Sequence, residues 1–159
     1  MITSASKRFI VSPGIGLGAL RFGIDRDAVE LLLGAEHSHD KRPDGNGTYA
    51  TYAGGAMVGF DRNAQADYLS IAIPDQALLD GVELLGRSAR PLIAQLADRS
   101  GPILQCDDED IGFILPAFGL RLIPAMGPGP ALERWIESMA LYAPGLSIDG
   151  QNFSRPVAL

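Results

Sequence analysis

The chain has 159 residues, 47% of them hydrophobic and 20% charged, with a net charge of −6. That is enough apolar chain for one domain with its own core and too much for intrinsic disorder, and the acidic balance excludes a phosphate-gripping nucleic-acid surface, which needs clustered Lys and Arg. A lone cysteine, Cys106, excludes an internal disulfide, and no apolar run approaches the ~20 residues that cross a bilayer.

The opening Met1 to Arg8 is polar and lacks the basic-then-apolar pattern of a secretory signal, so a cytoplasmic location is expected. Phe9-Ile10-Val11 is a short strand candidate, followed by the glycine-punctuated loop Ser12 to Gly18. Gly14-x-Gly16-x-x-Ala19 has the spacing of a dinucleotide fingerprint. The next helix start, however, falls at Asp25 rather than at that turn, so the glycines read as a structural loop. Asp25 caps a helix to about Leu33 with the stripe Val29, Leu32 and Leu33, and Gly34 ends it.

Glu36 to Gly47 is polar, holds both histidines and reads as an exposed loop. Thr48 to Tyr52, Met57 to Phe60 and Tyr68 to Ile73 follow as an antiparallel meander. A second helix starts at the cap Ser88, carries Leu92, Ile93, Leu96 and Ala97, and stops at Gly101-Pro102. Ile103-Leu104, Ile111 to Leu115 and Leu120 to Ile123 give another meander. Pro130 opens a third helix to about Tyr142, with Leu132, Trp135, Ile136, Met139 and Ala140 on one apolar face. Leu146 to Leu159 is read as a strand or a tail.

Gly23 and Gly86 lie 63 residues apart, as do Val29 and Leu92, and Leu33 and Leu96. The spacing predicts an α+β fold in a single domain, 1–159. It would consist of two pseudo-repeats of helix plus antiparallel β-meander, about 9–74 and 82–124, closed by a C-terminal helix at about 130–142.

No elbow, P-loop, HExxH or CxxC pattern is present, and no cofactor is expected. His37-x-His39-Asp40 could place two imidazoles on one side of an extended segment. It is the basis of an alternative reading as a small metal-dependent hydrolase. Cys106 sits beside four acidic residues, whose field disfavours a thiolate. The acidic run Asp107, Asp108, Glu109 and Asp110, and the polar loop with Glu36, Asp40 and Asp44, are the candidate partner contacts, since loops vary without disturbing a core.

Leu20-Arg21-Phe22-Gly23-Ile24-Asp25 leading into Val29 and Leu33-Gly34 resembles the opening of the outer-membrane assembly lipoprotein family BamE (SmpA/OmlA). Doubled versions look like uncharacterised bacterial proteins, some associated with immunity to contact-dependent or secreted toxins. The resemblance covers about residues 14 to 124. It specifies caps and core positions, and no catalytic residue carries over. The expected function is a non-enzymatic protein-binding module, an immunity protein or inhibitor that neutralises a basic toxin or effector, acting as a monomer or weak homodimer without nucleic acid or membrane. A self-associating structural module, pairing through strand edges, is a further alternative.

Overall fold

The computed structural model describes residues 6–106, 111–146 and 154–159. Its two helices form where the caps place them. In α1 (Arg26–Leu33), Asp25 Oδ1 accepts the N–H of Ala28 at 2.9 Å, and Gly34 ends the helix at φ 86°, donating its N–H to the Glu30 carbonyl. Side chains with a Cβ rarely adopt that left-handed conformation, which is why glycine stops the helix there. Val29 and Leu33 are buried, whereas Leu32 is 43% exposed, so the buried stripe is narrower than the spacing predicted. α2 (Ala89–Ser100) buries Leu92, Ile93 and Leu96, and Gly101 ends it.

The remaining described structure is mostly strand, and this overturns the α+β expectation. Fourteen strands form two sheets. The smaller joins β1 (Arg8–Ser12), β2 (Gly16–Leu17), β3 (Leu20–Arg21), β8 (Gln76–Leu79) and β9 (Val82–Glu83) in the order β3-β2-β1-β8-β9. Within it β1 and β8 run parallel, with Phe9 opposite Ala77.

The larger sheet comprises β4 (Ser38–Lys41), β5 (Thr48–Thr51), β6 (Met57–Phe60), β7 (Ala66–Ala72), β10 (Leu104–Cys106), β11 (Phe113–Leu115), β12 (Leu120–Pro124), β13 (Ile136–Tyr142) and β14 (Ser154–Pro156). Its order is β14-β10-β11-β12-β13-β7-β6-β5-β4, and every neighbouring pair is antiparallel. The inner face of this sheet, the smaller sheet and both helices share one apolar core that includes Phe60, Leu69, Phe113, Leu122, Met139, Leu92 and Val11.

The expected C-terminal helix does not form. Residues 131–133 make a single 3-10 turn, and Ile136–Tyr142 is a strand in the middle of the large sheet, with β12 on one side and β7 on the other. Met139 to Tyr142 are all buried. A strand buried on both faces is a continuous apolar run, and such a run satisfies a helical spacing as readily as an extended one. Trp135, assigned to the helix face, is 45% exposed.

The helix-plus-meander repeats fail with it. The second predicted unit, 82–124, stops short of β13, the strand that joins the two groups of strands through Leu141 opposite Leu69. Nor did the repeat account for β2, β3, β8 and β9, which build the second sheet. The polar loop Glu36 to Gly47 is also partly a strand. β4 has all four residues exposed and therefore shows no apolar alternation.

Candidate functional site

β4 is the last strand on one edge of the nine-stranded sheet. It pairs with β5 through Ser38 to Thr51, His39 to Ala50, Asp40 to Tyr49 and Lys41 to Thr48. Its other side faces no strand among the described residues. Two clamps hold this edge in place.

The first clamp is at the entry to β4. Glu36 Oε2 accepts from Arg26 Nη1 at 2.7 Å, and its Oε1 lies 3.0 Å from His39 Nδ1. Arg26 also donates to the Thr48 hydroxyl and lies 4.6 Å over the Phe60 ring. The guanidinium of α1 is thereby tied to the edge strand and to β5 and β6.

The second clamp is at the exit from β4. Arg42 is buried, forms a forked double hydrogen bond to the Asp67 carboxylate on β7, and stacks 4.7 Å from the Tyr49 ring centroid. The hydrogen bonds that Arg42 donates to Asp67 raise its pKa above the ordinary value, against the opposing effect of burial. Arg42 reaches β7 across β6 because Gly59 leaves room. A Cβ there would overlap Arg42 Nη2 and lie 2.8 Å from Tyr68 Cβ.

The same register sets three tyrosines in a row on the face turned away from the core. Tyr49 is opposite Gly59, Gly59 opposite Tyr68, and Tyr68 opposite Tyr142. The rings meet edge to face at centroid distances of 5.4 and 5.2 Å, the geometry their quadrupoles favour. Arg121 lies 5.8 Å over Tyr142 at the far end of the row.

Burial pushes the Tyr142 phenol up to about 12, against the smaller lowering effect of Arg121. The unfolded phenol ionises at about 10, so it loses its proton first. The stability this group contributes is thus fully present below about pH 10 and is lost as pH rises toward about 12. Alkaline denaturation followed by circular dichroism should show Tyr142→Phe holding its stability across that window while the parent chain declines. Equal decline would remove Tyr142 from the account.

Of the predicted contact residues, Glu36, Asp40 and Asp44 are among the described residues. Glu36 is committed to its clamp. Asp40 is exposed on β4 and has no ion pair among the described residues. Asp44 Oδ1 accepts the Asn46 N–H at 2.9 Å and shapes the turn between β4 and β5; that hydrogen bond lowers the carboxyl below its usual range.

Asp107, Asp108, Glu109 and Asp110 lie outside the described residues. The strands that flank them, β10 and β11, belong to the other end of the sheet. Seven strand-to-strand steps separate β10 from β4, about 34 Å at ~4.8 Å per step.

His39 is engaged by Glu36, and the described residues contain no group of three or more His, Cys, Asp or Glu placed to hold a metal. Cys106 is buried at the end of β10. Among the described residues no helix is long and apolar enough to cross a membrane.

The Arg42–Asp67 pair and the tyrosine row escaped the sequence reading. Their partners are 19 to 74 residues apart along the chain, and only the strand register brings them together. The one available signal was an arginine in a polar run preceding a strand with a tyrosine. No family model, curated protein or solved structure matches the chain.

Proposed function

We propose that this chain is a non-enzymatic protein-binding module, most concretely an inhibitor of the immunity type, that meets a basic partner along β4 and the turn that follows it. The observation that carries the reading is the edge itself. β4 is fully exposed, its far side pairs with no strand among the described residues, and the Arg26–Glu36 and Arg42–Asp67 clamps fix it on either side. An ordered strand edge offers a row of backbone donors and acceptors to a partner at little ordering cost. Asp40 and Asp44 add negative charge along it, which steers a basic partner and fixes its register.

The same charges oppose self-pairing. Antiparallel pairing of two β4 strands about a two-fold axis centred on Asp40 sets that carboxylate against its own copy, and like charges directly opposite are destabilising. The chain is accordingly expected to run as a 16.8 kDa monomer in light scattering.

The test is a double charge reversal, Asp40→Lys with Asp44→Lys. With the tagged chain and its native lysate, a stoichiometric partner should co-elute in gel filtration with the parent and be lost with the variant, while the melting temperature falls by no more than about 4 °C, the share of the turn hydrogen bond that Asp44 gives up. Retention of the partner by the variant would reject this edge. Loss only after Asp108→Lys with Glu109→Lys would move the contact to the acidic run Asp107 to Asp110.

A further inference from the structure

We propose that the contact on β4 is a strand addition, in which an extended segment of the partner pairs antiparallel with this edge and sets a lysine or arginine directly opposite Asp40. The inference rests on the reading of β4 as the partner edge. It adds the direction, the register and the central residue of what docks there.

The free backbone groups follow from the register. Arg42 donates its N–H to the Gly47 carbonyl at 2.9 Å, so these two residues form a hydrogen-bonded pair. Along an antiparallel ladder such pairs alternate with pairs that exchange no bonds. Asp40 and Tyr49 are therefore bonded to each other, whereas Lys41 opposite Thr48 and His39 opposite Ala50 are not. The next ladder agrees. Tyr52 donates to the Ala56 carbonyl, which turns the backbone groups of Ala50 and Thr48 toward β6 and leaves those of Tyr49 for β4. The N–H and C=O of both His39 and Lys41 thus point away from β5, to the side where no strand lies among the described residues.

Two donors and two acceptors in that spacing are what one extended segment takes up. All pairs in this sheet are antiparallel, and that ladder is the more stable per residue. The segment's residues opposite Lys41 and His39 would exchange both bonds with them. The residue between falls opposite Asp40 at a position without bonds, where Cα atoms approach to about 4.5 Å and side chains meet most directly.

Asp40 decides what occupies that position. Its side chain shares the outer face with Tyr49 and has no ion pair among the described residues. Arg42, two residues on, commits its fork to Asp67 on β7, away from the edge. The Asp40 carboxylate is left to a cation supplied across the edge. An acidic residue there, or a second β4 in the same register, meets like charge directly opposite.

The test is a proton–nitrogen NMR titration of the full chain with acetylated and amidated Thr-Val-Lys-Val-Thr, and with the same peptide carrying glutamate at its centre. Two N-methylated forms of the lysine peptide complete the set, one methylated at the second and fourth residues and one at the central residue. An antiparallel strand centred on Asp40 donates from its second and fourth N–H groups, whereas a parallel one donates from its third and fifth. The lysine peptide should shift the His39 and Lys41 amides saturably and slow their hydrogen exchange. Methylating the second and fourth residues should weaken binding by about tenfold or more, and methylating the centre by less than about threefold. The glutamate peptide should bind about threefold or more weakly than the lysine peptide. Asp40→Lys should invert that preference, and Asp44→Lys should keep it.

No saturable shift at His39 and Lys41, a greater loss from the central methyl than from the outer pair, or a preference that Asp40→Lys leaves in place would overturn the strand addition. The peptides need no lysate partner, so the two tests fail separately. A partner lost on charge reversal while the peptides do not pair overturns this inference and keeps the binding reading. Peptides that pair as expected beside a partner retained by the charge-reversed variant uphold the pairing chemistry of the edge and reject that reading.

Discussion

Replacing Arg42 with alanine is expected to cost the fold about 3–5 kcal/mol, the largest effect of any single polar substitution in this chain. The Arg42 side chain is 7% exposed and that of Asp67 13%, so removing the guanidinium strands a carboxylate that water reaches poorly. The loss would not be confined to electrostatics. The stem and fork of Arg42 cover Tyr49, and their removal also opens a gap above Gly59. A buried pair nevertheless need not be net stabilising, because its attraction must first offset the desolvation of two charges. The double replacement Arg42→Met with Asp67→Leu should consequently lie closer to the parent than either single change in urea denaturation. If Arg42→Ala alone is neutral, the pair is not holding the edge, and the account of β4 as a fixed strand fails with it.

Gly59→Ala should be destabilising by about 1–3 kcal/mol through overpacking, although alanine is the better residue in most strands. The added carbon would overlap Arg42 Nη2 and approach Tyr68 Cβ to 2.8 Å and Tyr49 Cε1 to 3.1 Å. The methyl thus collides with both members of the tyrosine row that flank Gly59 and with the arginine that crosses it. In the Arg42→Ala background the first of these collisions disappears, so the cost of Gly59→Ala should shrink. A double-mutant cycle by urea melts measures the coupling. Strict additivity of the two substitutions would show that Gly59 is not there to let Arg42 through.

Those two residues also mark where the sequence stops being legible. α1 could be placed from Asp25 and Gly34, because a cap and a stop are local chemistry. β7 could be placed from Leu69 and Ile71, which alternate toward the core. β13 could not, since Met139 to Tyr142 are buried without interruption and carry no period that separates strand from helix. β2, β3 and β9 are two residues long, too short for any pattern.

β4 hid for the opposite reason, being an edge with no buried face at all. Of the candidate contacts, Asp40 and Asp44 stand exposed on the strand and turn as a polar segment implies. Glu36 was taken up by an arginine ten residues earlier and a histidine three residues later.

The meeting of β7 with β13 has a consequence for how the chain is made. Leu69 finds its partner in Leu141, 72 residues later. At about 5–20 residues per second of synthesis, β7 waits about 4–14 s on the ribosome with one long edge bare. That edge belongs to a seven-residue strand in which Ala66, Tyr68, Leu69 and Ile71 are buried in the finished molecule and only Asp67 carries charge. Until β13 emerges, the nascent chain exposes the kind of surface to which chaperones bind and at which incomplete chains cross-pair. A chain released before Tyr142 is therefore a candidate for aggregation rather than for a smaller stable fold.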